Sequence, residues 1–405
     1  MRILIVSPVP PDPDGAGAIP ILLHAQLSGL RERNEVTLVS AVGDEPGEAE
    51  AAARAAEAGV DAHFADRRQP AAAVARWRRR GRLGRAWLGG TPWRAAWFAA
   101  PRIQGVLDRL GAEREFDVVV VEDSAMSGFR LPAGVATVLT EHEVLRPRKA
   151  DRPPARPGRW PGWAFAELDW RKRPPFQRAA WRHFDRVLAY GSRDAAAIAE
   201  LAPEVADRVR VCPFGIELPP PATASGEQPG QVLFSGNFTH WPNREAALWL
   251  VREIMPAVRA HRPEAQLQIV GASPPAEIVA LAGPGVEVHA DVPSVDPHIE
   301  AAAVVVAPVR SGGGMRMKVL QALAAGRAVV TTGRGAEGFD CFGEPPPLAI
   351  AGEAGAFAAE VAALLADPGR REELGRRARA FAEAHHGPAA WAARLQSAYE
   401  GAIQG

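Results

Sequence analysis

Three glycines, Gly312, Gly313 and Gly314, run straight into a segment carrying Arg316, Lys318 and Gln321. Unpaired backbone N–H groups at a helix start, with the macrodipole behind them, bind anions. Glycine lets a ligand approach the main chain without a Cβ in the way. A helix beginning near Met315 sets Gly314, Lys318 and Gln321 on one face, because they are spaced four and three apart. Lys318 is then placed to meet a phosphate and Gln321 to hydrogen-bond a pair of hydroxyls, while a regular helix aims Arg316 elsewhere. The loop lacks the GK[ST] ending of a P-loop. An ordinary turn with a solvated lysine and glutamine accounts for the same letters.

Two other loops carry chemistry. After ILIVS (3–7), a proline-stiffened turn presents Asp14, Gly15 and Gly17 ahead of a second helix start. The run ATVLTE (136–141) ends on Glu141-His142-Glu143, where an imidazole flanked by carboxylates can polarise a hydroxyl. His240, His289 and His298 stand alone, and neither Cys212 nor Cys341 has a CxxC or His-rich neighbourhood, so no metal site is expected. His385-His386 reads as a surface pair before the last helix.

Something must hold these loops in place. The chain has 405 residues, 47% of them hydrophobic, which is enough for two buried cores. It has no apolar run of about eighteen residues, and MRILIVSPVP does not read as a signal peptide. Two cysteines suit a reducing cytoplasm. Short β-branched runs at 3–7, 36–40, 118–122, 136–141, 186–190 and 210–215 alternate with amphipathic segments. The same alternation recurs at 231–236, 267–271, 286–290, 304–309 and 328–333. Continuous apolar runs of this kind are buried parallel strands, so the expected class is α/β with two doubly wound, Rossmann-like domains. The expected boundaries are a first domain at 1–218, a Pro/Gly-rich linker at 219–230, a second domain at 231–385, and a helix at 386–405 returning to the first. Ligands of such sheets sit where strand carboxyl ends meet helix starts.

Formal net charge is zero but unevenly spread: residues 67–94 hold nine arginines and no acid, interleaved with Trp77, Trp87 and Trp93. That mixture suits the surface of an anionic membrane, less well a nucleic acid, and equally a helix whose tryptophans pack inward.

The stretches SGNFTHWPNREAALWLVREIMPAVRAHRPEAQLQIVG and APVRSGGGMRMKVLQALAAGRAVVTTGRGAEGFD resemble the C-terminal domain of glycosyltransferase family 4 enzymes with the GT-B fold. Most similar is a bacterial subgroup with a Gly-Gly-Gly-x-Arg-x-Lys loop. RILIVSPVPPDPDGAG and EHEV are similar, more loosely, to that family's first domain. The resemblance implies transfer of a sugar from a nucleoside-diphosphate donor with retention of configuration, without a metal or other cofactor. The acceptor would be a glycan, a lipid-linked intermediate or a natural product. It places Gly236, Asn237, Asp291, Val292, Gly312, Gly313, Gly314, Met315 and Gln321 around the donor, and His142 beside the donor sugar. It places Asp14, Gly15, Gly17 and Glu141 on the acceptor side of a cleft. The family's two glutamates, eight positions apart, fall here on Gly313 and Gln321, and its Arg/Lys pair is missing from Gly236–Asn243. Lys318, with Arg316 as the weaker partner, is expected to take over the diphosphate. A donor-binding protein that no longer transfers, and a nucleotide-sugar epimerase or phosphorylase, are the other readings.

Overall fold

The structure is a computed structural model and describes residues 1–15, 17–45, 47–68, 72–145, 162–222 and 226–405. It divides into two compact units. One is built from Met1–Gly15, Ile19–Cys212 and Ala392–Gly405, the other on Pro213–Trp391.

In the first unit the chain runs β1 (Arg2–Ser7), α1 (Ala18–Arg31), β2 (Glu35–Val42), α2 (Glu48–Glu57), β3 (Asp61–Asp66), α3 (Ala73–Leu88), α4 (Trp93–Phe98) and α5 (Pro101–Glu113). It continues through β4 (Val118–Glu122), β5 (Ala136–Glu141), α6 (Gly162–Trp181), β6 (Arg186–Ala189), α7 (Ser192–Leu201) and β7 (Val209–Val211). All strands pair in parallel in the order β3-β2-β1-β4-β5-β6-β7. The central strands are apolar on both faces because helices cover both; Ile3, Leu4, Ile5 and Val118 through Val121 are fully buried.

The second unit runs β8 (Gln231–Ser235), α8 (Trp241–Trp249), α9 (Met255–His261), β9 (Gln266–Gly271), α10 (Ala276–Val279), β10 (Val286–Ala290) and α11 (Asp296–Ala301). It continues through β11 (Val304–Ala307), α12 (Met317–Ala324), β12 (Val329–Thr331), β13 (Ala349–Ile350), α13 (Ala354–Ala366) and α14 (Pro368–His385). A last helix, α15 (Pro388–Ile403), spans the division between the units. The sheet order is β10-β9-β8-β11-β12-β13, again parallel. Both sheets thus reverse direction once, between β1 and β4 and between β8 and β11. A doubly wound sheet opens its ligand crevice at that reversal.

Two strands went unseen in the sequence. β3, DAHFAD, is an edge strand of mixed polarity, and β13 has two residues. The expected linker is not a free tether. Ala222 N–H donates to Ala325 O at 2.9 Å, Gln228 N–H to Ala301 O at 2.9 Å, and Glu227 accepts from Arg327 at 3.3 Å and Arg371 at 3.0 Å. Within 219–230, residues 223–225 lie outside the described residues. The expected surface pair at 385–386 is also corrected. His386 is fully buried, its ring Nδ1 lies 2.7 Å from Phe214 O, and it packs among Phe339, Phe342 and Phe381.

Candidate functional site

In the second unit the reversal brings together the loop after β8 and the loop after β11. Gly236 N–H continues the sheet by donating to Val270 O at 2.9 Å, and the backbone then turns into α8. A Cβ on Gly236 would lie 2.7 Å from Lys318 Nζ and 2.9 Å from Asn243 Cγ, so glycine is required by close approach. Asn237 folds its own loop, its Oδ1 accepting from Thr239 N–H at 2.9 Å. Asn243 donates to Asn237 O at 2.7 Å and accepts from Lys318 Nζ at 2.8 Å.

The glycine loop departs from its expected form. α12 starts at Met317, two residues later than the sequence suggests, because Arg316 is extended (φ −96°, ψ 105°). Gly314, at φ 75°, therefore stands outside the helix and does not share a helical face with Lys318. Gly312, at φ 83°, also occupies the left-handed region that glycine tolerates. Lys318 and Gln321 do lie on α12, three residues apart.

Arg316 is corrected from a ligand-directed cation to a brace. Its guanidinium donates to the carbonyls of Gly313, of Gly312 at 3.0 Å and of Ser311 at 3.4 Å. A trans peptide holds its N–H opposite its C=O. Drawing the carbonyl of Ser311 towards Arg316 therefore turns the N–H of Gly312 the other way. The amides of Gly312 and Met315 find no protein acceptor among the described residues. Arg334, which no motif in the sequence marks, donates to Gly312 O at 3.2 Å, and Ser311 Oγ ties the loop to Glu245 at 2.6 Å.

Lys318 is the cation beside this loop. Its ammonium sits over the Phe234 ring at 4.2 Å. Burial, with Arg316 adding repulsion, pushes its pKa down to about 7. It is a group short of negative charge. Gln321 is partly buried, and its amide makes no hydrogen bond to protein among the described residues. Asp291, at the end of β10, adopts φ 51° and accepts from Ser273 N–H at 2.7 Å, with Val292 following as partly buried chain.

In the first unit the loops after β4 and β5 share a polar cluster. His142 Nε2 lies 2.9 Å from Glu122 Oε2, with Tyr190 packed edge-on against the ring. Glu122 is held by Gln26 at 3.0 Å and Thr140 at 3.1 Å, and Gln26 also donates to Tyr399 at 3.1 Å. With Nε2 facing a carboxyl oxygen, Nδ1 is left as the outward nitrogen; it takes no protein hydrogen bond among the described residues. Glu122 orients His142, yet in the sequence it was only the last letter of a strand.

Glu141 is corrected from a cleft residue to a buried one. It is 2% exposed and accepts from Trp181 at 2.8 Å, Gln177 at 3.0 Å and Ser124 at 3.2 Å. Burial first, and the neighbouring Asp123 second, push its pKa up to about 8 against those hydrogen bonds. In the first loop the organising residue is Asp12 rather than Asp14. Asp12 is buried, accepts from Asp14 N–H at 3.2 Å and pairs with Arg54 at 2.9 Å, while Asp14 is exposed. Gly15 abuts Pro20, where a Cβ would approach to 2.6 Å, whereas Gly17 opens onto space before α1. Ala16 lies outside the described residues.

Among the described residues, the non-glycine residues with positive φ, Asp123, Ser273 and Asp291, all follow strand carboxyl ends, of β4, β9 and β10. Strained backbone of this kind costs about 1–3 kcal/mol per residue and collects at ligand sites.

Comparison with known proteins points the same way. Residues 229–367 match the family model described as glycosyl transferases group 1. No curated protein matches by sequence. Among solved structures, Anabaena HepE in complex with UDP and glucose is similar over 99% of this chain and 100% of its own, with a TM-score of 0.66 at 12% identity. Sucrose-phosphate synthase from Thermosynechococcus elongatus covers 100% of both chains (TM-score 0.67, 16% identity). A UDP-forming trehalose-phosphate synthase from Burkholderia xenovorans covers 98% of both (TM-score 0.63, 11% identity). The chain has the GT-B fold, with two Rossmann-like domains of seven and six parallel strands.

Proposed function

We propose that this protein is a glycosyltransferase that takes a sugar from a nucleoside-diphosphate donor, with retention and without a metal. One observation carries the reading. At the reversal of the second sheet, inside the segment that matches glycosyl transferases group 1, a braced glycine loop and a charge-starved lysine converge. HepE is crystallised with UDP and glucose, and the trehalose-phosphate synthase is UDP-forming, which makes a uridine donor the first to test.

In this reading the amides of Gly312 and Met315 and the Lys318 ammonium receive the diphosphate, and Gln321 takes the ribose hydroxyls. Gly236, Asn237, Asp291 and Val292 line the nucleotide. The bond from the sugar's anomeric carbon to the diphosphate oxygen breaks, and its electron pair leaves with the phosphate. The acceptor hydroxyl attacks the same face, and its proton passes to the departing phosphate oxygen. Lys318 and the loop N–H groups stabilise the charge that develops there. In the first unit, His142 Nδ1 would take a sugar hydroxyl. The first unit binds the acceptor, with Gly15 at its edge. Gly313 stands where family 4 enzymes carry a carboxylate for the donor sugar, so the sugar is recognised by main chain at that point.

Thermal-shift and calorimetric titration with UDP, GDP, ADP and dTDP and their sugars tests the proposal. One nucleotide family should stabilise the protein, and release of that nucleotide from its sugar should follow. Binding without any release would leave a donor-binding protein, and no binding by any of them would defeat the reading.

A further inference from the structure

The basic segment after β3 builds a surface that neither the donor site nor the cluster around His142 uses. α3 is attached to the first unit by one face. Leu83 is buried, Arg79 lies 4.3 Å over the Trp97 ring, and Trp87 stacks on Phe165 at 4.9 Å while donating to Asp169 at 3.1 Å. Those contacts absorb the inward tryptophans. The opposite face is different. Val74, Trp77 and Leu88 fall within one narrow arc of the helical wheel and are 64%, 77% and 76% exposed.

Gly81 shares that arc and keeps the ridge low, since a Cβ there would meet nothing within 4 Å. Arg78, Arg82 and Arg85 flank the ridge on one side and Arg80 on the other, all of them exposed. Beyond Leu88 the surface dips into a hollow of about 540 Å³, walled by Gly89, Gly90, Leu168, Arg171 and Lys172. Leu168 on its rim is itself exposed.

We infer that the outer face of α3 seats on an anionic lipid bilayer, with Trp77, Val74 and Leu88 in the acyl boundary and the flanking arginines on lipid phosphates. The chemistry discriminates among partners. Exposing valine, leucine and tryptophan together to water is unfavourable unless an apolar phase receives them, and an interfacial helix shows this apolar ridge with basic shoulders. Arginines on the shoulders keep their heads at the phosphate level while their stems lie along the apolar surface. A nucleic acid would reward the arginines and stack on Trp77, but it offers nothing to Val74 and Leu88. The hollow beside the ridge would receive one phosphate headgroup between Arg171 and Lys172. Acceptor binding by the first unit would then take place at a lipid surface.

The test is co-sedimentation of the full chain with vesicles of phosphatidylcholine alone and of phosphatidylcholine mixed with phosphatidylglycerol. Binding is expected to the mixed vesicles only and to weaken with salt. Trp77→Ser with Leu88→Ser should lower partitioning about tenfold or more, and Arg78→Gln or Arg85→Gln about fivefold each. All these side chains are solvent-exposed, so circular dichroism and the melting temperature should stay at wild-type values. No binding to mixed vesicles at low salt would overturn the inference. So would binding that the arginine variants reduce but the Trp77/Leu88 pair leaves untouched, together with comparable affinity for a single-stranded oligonucleotide; that result would identify a nucleic-acid surface instead. Nucleotide titration of the same variants keeps this separate from the donor site, where they should be silent.

Discussion

Lys318 and Asn243 stand 2.8 Å apart, the ammonium donating to the amide oxygen while the amide nitrogen holds the carbonyl of Asn237. One asparagine thus fixes both the only lysine of α12 and the turn after β8. It offers that lysine a dipole and no charge. A diphosphate arriving beside Lys318 would supply the missing anion.

Binding should therefore draw in a proton. Free Lys318 titrates at about 7, and an anion at hydrogen-bond distance raises that value. Affinity for the preferred nucleoside diphosphate should fall as pH rises from 6 to 9, with proton uptake visible by calorimetry in buffers of different ionisation heat. Lys318→Met should lose tenfold to a hundredfold in affinity, on the order of a charge-assisted hydrogen bond at ~1.5–3 kcal/mol. A pH-independent affinity would show that Lys318 does not meet the phosphates.

The same lysine affects stability with a definite sign. Between about 7 and its ordinary 10.5 the folded state holds fewer protons on Lys318 than the unfolded chain, so this group makes stability rise with pH across that window. Lys318→Met should flatten the rise and leave the protein at least as stable at pH 7 by urea unfolding. A steeper rise in the variant would contradict the assigned burial.

Glu141 acts in the opposite direction. Its folded pKa is raised from 4.5 to about 8, so the folded state holds the extra proton. Its contribution is complete below the unfolded value and is lost as pH climbs towards 8. Glu141→Gln should remove that slope. It should also cost about 1–3 kcal/mol, because an amide cannot accept from Trp181, Gln177 and Ser124 together. Nucleotide affinity should be untouched; a large loss there would return Glu141 to the site.

Arg316 should behave as a brace. Arg316→Gln removes the anchor of three carbonyls, so exchange of the amides at 312–315 should speed up and nucleotide affinity should drop about tenfold. Arg316→Lys, which cannot reach three carbonyls at once, should recover a fraction. Unchanged amide exchange with lost affinity would instead make Arg316 a direct ligand.

His142→Ala should lower turnover of the donor about a hundredfold, the scale of one positioned acid–base or polarising group, with nucleotide affinity within twofold of wild type. Glu122→Gln keeps a hydrogen-bonding oxygen and should retain much of the rate. Equal losses in affinity and turnover would move His142 out of the reacting region.

The architecture was largely legible because buried parallel strands announce themselves as unbroken apolar runs, and eleven such runs fell on observed strands. β3 was not legible: DAHFAD sits at a sheet edge, where one side is wet and no run is needed. The glycine loop was readable as an anion site from its letters, but the role of Arg316 was not. Helical periodicity assumes a helix, and residue 316 is extended. Glu122, Asn243 and Arg334 gain meaning only from partners 20, 75 and 22 positions away in the chain. Composition located the arginine-rich segment, while only the coordinates tell the inward Trp87 from the outward Trp77.

The first unit of this molecule is not a contiguous stretch of the chain. Tyr399 is fully buried against Gln26, and Leu395 and Ala402 are buried on the same helix, so the first unit borrows its last fourteen residues, Ala392–Gly405, from the far end of the chain. A chimera that exchanges donor specificity by splicing after residue 218 would carry off the wrong tail. The recombination that respects this protein takes 213–391 as an insert and leaves both ends of the host in place.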